Sequence, residues 1–219
     1  MACMILGCDF LFVAISSCII CQYKILHNTF LKFNTPEMSE VNEKLRFLVD
    51  DKLDFNYKNE NKEAFVRCVR HHQLLLSVTK KWNNLFGWIA MCLITSAIIA
   101  VCGEAYILAN MKNATLSQQV MRLALTIIVL SQLLEYCAIG NELYYQAGLL
   151  PEHIFQANWY DLHSCELKKD FMFLLHHSQN VPYLNAYNLY NIDMNFYIKV
   201  LKLMFSIYTF FSKMEFKNE

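Results

Sequence analysis

The chain has 219 residues, of which 56% are hydrophobic and 17% are charged. Soluble globular domains carry about 25% charged residues, so this composition favours a membrane protein over a soluble enzyme. The formal net charge is zero, which gives a nucleic-acid partner no electrostatic support. Glycine and proline are scarce, which favours long helices over a turn-rich β fold. We therefore expect an all-α integral membrane helical bundle with four transmembrane helices.

The first segment, residues 1–23, is apolar, with Asp9 as its only charge. About 20 apolar residues cross the hydrocarbon core of a bilayer, so this segment predicts a first transmembrane helix. It lacks the basic start and the small-x-small cleavage site of a signal peptide. Lys24 follows at once and marks the membrane edge.

Residues 24–81 form a polar segment that contains 11 Lys or Arg residues and 8 Asp or Glu residues. From Lys62 onward, side chains suited to one buried face recur at three- and four-residue steps, which predicts an amphipathic helix leading into the next span. They are Phe65, Val66, Val69, His72, Leu75 and Leu76. The second span, residues 82–109, begins with Trp82 and Trp88, where interfacial aromatic residues are expected.

The third predicted span, residues 119–140, is interrupted by Arg122 and Glu135 and therefore needs protein neighbours. The fourth, residues 192–213, contains Lys199 and Lys202. A lysine that faces lipid at mid-bilayer costs about 2.5–3.5 kcal/mol, so we expect both to reach the interface, face a bundle or line water.

The loops predict an orientation. Residues 24–81 are rich in Lys and Arg, whereas Lys112 is the only base between the second and third spans. The positive-inside rule therefore places residues 24–81 in the cytoplasm and the 110–118 loop outside. The sequon Asn113-Ala114-Thr115 agrees, because glycosylation requires an external loop. Residues 141–191 then return to the cytoplasm, residues 214–219 lie outside, and an external amino end suggests that further spans precede the chain.

The nine cysteines do not suggest a metal or redox site. Most lie in apolar stretches, where we expect small buried side chains, and Cys18-x-x-Cys21 has no matching second pair. The adjacent pairs His71-His72 and His176-His177 cannot present both rings on one helix face. We therefore predict no metal, no cofactor and no catalytic residues.

Several short runs form a pattern typical of one receptor family. The first is Cys8-Asp9-Phe10-Leu11-Phe12 with Gln22-Tyr23-Lys24-Ile25-Leu26, and the second is Cys68-Val69-Arg70-His71-His72-Gln73-Leu74-Leu75. The third is Gln132 with Glu135-Tyr136-Cys137-Ala138-Ile139-Gly140-Asn141-Glu142-Leu143. The fourth is Asn158-Trp159-Tyr160 with Lys168-Lys169-Asp170 and Ser178-Gln179, and the last is Leu201-Lys202 with Ser206-Ile207-Tyr208-Thr209-Phe210. Together they resemble helices four to seven of the insect odorant receptors, which are unrelated to G-protein-coupled receptors. Helices one to three of that family have no counterpart here.

The resemblance implies a subunit of an odorant-gated cation channel that forms a heterotetramer with an odorant co-receptor. It implies a multi-pass protein in the plasma membrane of olfactory sensory neurons, acting in the sense of smell. It further implies a small, volatile, hydrophobic ligand in the outer half of the bundle. Given the predicted orientation, the ligand-binding residues would be Phe10, Val13, Cys102, Tyr106, Leu123, Ala124 and Ile127. Ordinary helix packing is the alternative for each of them.

The same resemblance makes the fourth span the pore helix. The pore candidates are Ser206, Tyr208, Thr209 and Phe210, while Lys199 and Lys202 are expected at the interface because a deep ring of lysines would repel cations. Tyr136, Gly140 and Trp159 would build a cytoplasmic anchor region, through subunit assembly or through packing of the fold. The alternative functions are a truncated or non-signalling membrane fragment and a gustatory receptor relative.

Overall fold

The computed structural model describes residues 2–35, 37, 60–109, 115–187 and 189–216. Within them the chain forms five α-helices: α1 (Ala2–Leu31), α2 (Glu60–Ala109), α3 (Leu116–Gln156), α4 (Cys165–Ser178) and α5 (Met194–Phe216). A 3₁₀ helix, Asn158–Asp161, joins α3 to α4. Strands β1 (Asn185–Ala186) and β2 (Tyr190–Asn191) pair antiparallel just before α5. The all-α prediction is confirmed; the glycosylation prediction at Asn113 lies outside the described residues.

Three of the described helices contain segments long and apolar enough to cross a membrane, namely Gly7–Leu31, Asn61–Glu104 and Leu116–Asp161. The helices α2 and α3 have 50 and 41 residues, about twice the length that a bilayer requires. The amphipathic helix predicted from Lys62 is confirmed as the first part of α2, continuous with the apolar part. The helix α5 has 23 residues but is not among the three, so its crossing stays a prediction.

The chain divides into two compact units. Unit one comprises Met1–Trp82 with Glu142–Pro182, and unit two comprises Asn83–Asn141 with Tyr183–Glu219. The helices α2 and α3 each contribute residues to both units. The boundary in α2 lies at the start of the second predicted span, and the boundary in α3 lies at the end of the third.

Unit one is built around the fully buried side chain of Phe171 on α4. Its ring lies 4.8 Å from that of Phe33, just after α1, and 4.5 Å from that of Phe65 on α2. Phe30 approaches edge-on at 6.5 Å, and the Trp159 ring lies nearly parallel at 6.0 Å. The helix α4 is capped by Ser164, whose hydroxyl accepts from the Leu167 amide at 3.3 Å. Burial of these aromatic rings stabilises the unit.

Polar contacts fix the helices of unit one relative to one another. Lys24 pairs with Glu142 at 3.4 Å. The buried Trp82 indole donates to Ser16 Oγ at 3.1 Å. Trp82 was predicted as an interfacial residue, but the structure buries it against α1 because the indole N–H finds a partner there. Trp88 is 60% exposed, as an interfacial residue would be.

Unit two attaches the β1–β2 hairpin to α2. Asn83 Nδ2 donates to Asn185 Oδ1 at 3.2 Å, and the Asn185 amide donates to Asn83 Oδ1 at 2.8 Å. A Cβ at Gly87 would lie 3.2 Å from the Asn185 carbonyl oxygen, so glycine allows the close approach. On α3, a Cβ at Gly140 would run into the Ile192 carbonyl oxygen. The segment just before α5 is thus held against α2 and α3 of its own unit.

Several cysteines differ from the sequence prediction. Cys68 and Cys137 are buried, but Cys18, Cys21, Cys92 and Cys165 are exposed in the structure. The expectation that the cysteines of the apolar stretches are buried is wrong for Cys18, Cys21 and Cys92, because an apolar helix presents side chains on all faces and only one face packs on a neighbour. No group of three metal-binding side chains forms among the described residues.

Candidate ligand and pore site

The seven predicted ligand-binding residues are distributed over both units. Phe10 and Val13 belong to unit one, where Phe10 is 80% exposed and Val13 is half-buried. The other five belong to unit two. Cys102 and Tyr106 lie near the carboxyl end of α2, and Leu123, Ala124 and Ile127 lie near the amino end of α3.

An ion pair joins the two helix ends of unit two that carry these five residues. Arg122 Nη1 lies 3.0 Å from Glu104 Oε1, and the Glu104 side chain is only 18% exposed. Glu104 Oε2 is buried and has no hydrogen-bond partner within the part of the chain that the structure describes. A half-buried ion pair in a predicted span is costly unless it is well paired. The contact explains how the third span tolerates Arg122, for which the sequence predicted protein neighbours without identifying Glu104.

Most of the five residues are open to the surroundings. Tyr106 and Leu123 are each 50% exposed and Ile127 is 65% exposed. Ala124 is also exposed, and Cys102 is half-buried. Exposed apolar side chains in such a group are typical of surfaces that contact lipid, protein or ligand. The structure brings α2 and α3 together at this point, and ligand binding by these residues stays a prediction.

One aromatic contact links this region to α5. The rings of Tyr106 and Phe211 lie 4.8 Å apart at an angle of 76°, the edge-to-face arrangement that aromatic pairs favour. Phe211 in turn contacts Phe210 at 5.4 Å. A predicted ligand-binding residue therefore touches the direct neighbour of a predicted pore residue, and both lie in unit two.

The predicted pore residues lie in the carboxyl half of α5. Ser206, Tyr208 and Phe210 are exposed, and Thr209 is half-buried. Thr209 Oγ1 lies 3.0 Å from the Phe205 carbonyl oxygen and 2.9 Å from that of Ser206, so its proton is held by the backbone. Lys199 and Lys202 are both exposed nearer the start of the helix. The pore assignment stays a prediction.

The three predicted anchor residues do not form one group. Tyr136 is buried in unit two and its ring stacks on that of Phe86 at 6.4 Å. Gly140 lies one turn further along the same helix, against Ile192. Trp159 belongs to unit one, where its ring stacks on Tyr160 at 4.0 Å. Each packs inside its own unit, and a role in subunit assembly stays a prediction.

Sequence reasoning missed two features of these units. Phe171 was not singled out, although Phe30 at the end of α1 and Phe33 just after it are three residues apart, the spacing of one helix face, and mark a buried aromatic contact. The pairing of Glu104 with Arg122 was also missed. The sequence did contain a signal for this ion pair. The two spans are joined by a short loop, and their facing ends carry charges of opposite sign.

Comparison with known proteins establishes the family. A sequence model described as 7tm Odorant receptor matches residues 1–205. The chain belongs to this family. This odorant receptor chain is similar to three proteins of Drosophila melanogaster. They are Odorant receptor 83a (21% identity over 84% of the chain), Odorant receptor 59b (26% over 73%) and Odorant receptor 85a (22% over 93%).

The fold of this odorant receptor chain is also similar to a solved structure. The olfactory receptor OR5 of the insect Machilis hrabei, in complex with eugenol, has a TM-score of 0.69 at 13% identity and matches 94% of this chain. The matches cover 40%, 39% and 49% of the three Drosophila receptors and 47% of OR5. The chain thus spans less than half the length of each. The resemblance to insect odorant receptors and the helical membrane fold are confirmed.

Proposed function

We propose that this chain is part of an odorant receptor subunit, an odorant-gated cation channel that works with a co-receptor in olfactory sensory neurons. Family membership and the similarity to a receptor that was solved with eugenol support an odorant role. The ligand is a small, volatile, hydrophobic molecule. The chain lies in the plasma membrane and joins the co-receptor in a heterotetramer.

The contact between Tyr106 and Phe211 carries the proposal. The proposed ligand wall in unit two consists of Cys102, Tyr106, Leu123, Ala124 and Ile127, and the proposed pore and gate residues are Ser206, Tyr208, Thr209 and Phe210. A ligand gates a channel only if it binds the open and closed states with different affinity. An odorant that moves the Tyr106 ring changes the packing of Phe211 and therefore the position of its neighbour Phe210.

A double-mutant experiment tests this coupling. Tyr106→Leu, Phe211→Leu and the double variant are each co-expressed with an odorant co-receptor, and currents are recorded over a panel of volatile ligands. An edge-to-face aromatic pair contributes about 0.5–1.5 kcal/mol, so each single change should shift the half-maximal odorant concentration roughly two- to tenfold. The double variant should shift no further than the larger single one.

The matched control is Phe205→Leu, an exposed aromatic on the same helix. It should leave the half-maximal concentration unchanged. Additive effects of Tyr106→Leu and Phe211→Leu would contradict coupling through this contact. The amount of each variant at the cell surface is measured by biotinylation alongside every recording. A loss of current at unchanged surface delivery is then assigned to gating.

A membrane fragment that does not signal is the second candidate. The strong exposure of Phe10, Leu123 and Ile127 favours it, since a binding pocket buries most of the surface of its ligand. Surface delivery of the chain with the co-receptor and no current at any ligand would support this candidate over the receptor.

A further inference from the structure

A cavity of about 440 Å³ lies in unit two at the start of α5. One wall is apolar. Ile98 of α2 contributes to it, together with Phe196, Val200 and Leu203 of α5. None of the predicted ligand, pore or anchor residues lines this cavity, so it is distinct from the site proposed above.

The remaining wall carries two opposite charges. Asp193 caps α5, because its Oδ1 accepts the Phe196 amide at 2.7 Å. Its carboxylate has a second oxygen. Lys199 is exposed and makes no ion pair within the described residues. Tyr190 and Asn191 of β2 add further polar groups to the same wall.

The charged groups lie nearer the start of α5 than Leu203 does. A membrane lipid has the same order, with a charged headgroup at the surface and apolar acyl chains deeper in the bilayer. Asp193 and Lys199 are six residues apart, or about 9 Å along a helix. Leu203 lies one turn beyond Lys199 and therefore deeper in the fourth predicted span, which α5 enters from the cytoplasmic side near residue 192. The charged wall therefore lies at headgroup level and the apolar wall at the level of the acyl chains.

We propose that this cavity binds a phospholipid whose headgroup carries both a phosphate and a primary ammonium, as in phosphatidylethanolamine. Lys199 binds the phosphate and Asp193 accepts hydrogen bonds from the ammonium, so each charge of the cavity finds its opposite. A purely anionic headgroup would leave Asp193 facing a like charge. A choline headgroup has no N–H to donate, so it cannot form the charge-assisted hydrogen bond to Asp193.

The proposal extends beyond odorant sensing and does not depend on it. It assigns a structural lipid to the base of α5, the helix that the proposed function makes the pore helix. The chain can hold this lipid whether or not it responds to any odorant. A loss of lipid selectivity and a loss of odorant response are therefore separate results.

Lipid retention tests the proposal. The full chain is reconstituted into vesicles with equal amounts of phosphatidylethanolamine and phosphatidylcholine, extracted in mild detergent, and its retained lipids are quantified by mass spectrometry. The wild type should retain phosphatidylethanolamine over phosphatidylcholine by about tenfold, the scale of a charge-assisted hydrogen bond. Lys199→Gln and Asp193→Asn should each bring the retained ratio close to that of the vesicles. Asn at 193 preserves the capping oxygen.

Lys202→Gln is the matched control. It removes the same charge from the same helix at a position that does not line the cavity, so it should keep the wild-type ratio. A wild-type ratio equal to that of the vesicles overturns the proposal, as does an equal loss in Lys202→Gln and Lys199→Gln. If Lys199→Gln fails to fold, Asp193→Asn decides the outcome alone.

Discussion

Phe171 of unit one is packed among aromatic side chains. Its ring is fully buried and contacts aromatic rings from α1, α2 and the 3₁₀ helix. Truncating a buried phenylalanine removes its transfer free energy and leaves a cavity. The stability of the first unit therefore depends strongly on this one residue.

We expect Phe171→Ala to lower the free energy of unfolding by about 3–5 kcal/mol. Thermal unfolding of the full chain in detergent measures the change. Phe173→Ala is the control, since Phe173 lies on the same helix but is 67% exposed and should cost less than about 1 kcal/mol. Equal losses in the two variants would contradict the packing described for unit one.

Gly140 permits a close backbone approach in unit two, against the carbonyl oxygen of Ile192. Gly140→Ala should lower the thermal midpoint, because a methyl group there must displace a backbone atom. Gly103→Ala makes the same change in a helix where nothing lies within 4 Å of the new methyl. It should be neutral or slightly stabilising, because alanine favours helix by about 1 kcal/mol. A Gly140→Ala variant as stable as Gly103→Ala would refute the close contact.

Single residues show where sequence reasoning succeeded and where it could not. The three- and four-residue spacing of six side chains predicted a buried helix face: Phe65, His72 and Leu75 are buried, whereas Val66, Val69 and Leu76 are half-buried. The partners of Trp82 and Arg122 were not predictable in the same way. A hydrogen bond to Ser16 or an ion pair with Glu104 depends on which helices become neighbours, and periodicity within one helix carries no such information.

At the scale of whole elements, the helices are longer than the predicted spans. The first predicted span ends at residue 23, whereas α1 continues to Leu31; the third ends at residue 140, whereas α3 continues to Gln156. Hydropathy marks the part of a helix that tolerates lipid and does not mark where the helix ends. The polar continuations remain helical because each has a buried face: Phe30 of α1 packs on Phe171, and His153 of α3 stacks on His27 at 4.3 Å.

The β1–β2 hairpin was not predicted, since two-residue strands leave no periodic signal. Its attachment to α2 depends on both hydrogen bonds of Asn83. We expect Asn83→Ala to speed hydrogen exchange at the Asn185 amide about tenfold or more, because each lost bond costs about 0.5–1.5 kcal/mol. Exchange measured by mass spectrometry tests this. The control is Asn84→Ala, a change at the exposed neighbouring position, which should leave the exchange rate of the Asn185 amide unaltered. Faster exchange of that amide in Asn84→Ala would point to a general loosening of α2.

At the scale of the molecule, three helices suited to membranes and a match over residues 1–205 agree on a membrane receptor of the odorant family. The amino-acid composition was enough to predict the membrane fold, and a few short sequence motifs were enough to predict the family. The orientation in the bilayer, the crossing by α5 and the site residues remain predictions, because they depend on the membrane and on partner subunits as well as on the chain.

The proposed function requires that α4 lie in the cytoplasm, and Cys165 offers a direct test. Cys165 is exposed at the first residue of α4, within the segment 141–191 that is predicted to be cytoplasmic. We expect a membrane-impermeant maleimide to leave Cys165 unlabelled in intact cells and to label it after permeabilisation, with the label absent from Cys165→Ser. Labelling of Cys165 in intact cells would place α4 outside, invert the orientation and contradict the proposed receptor.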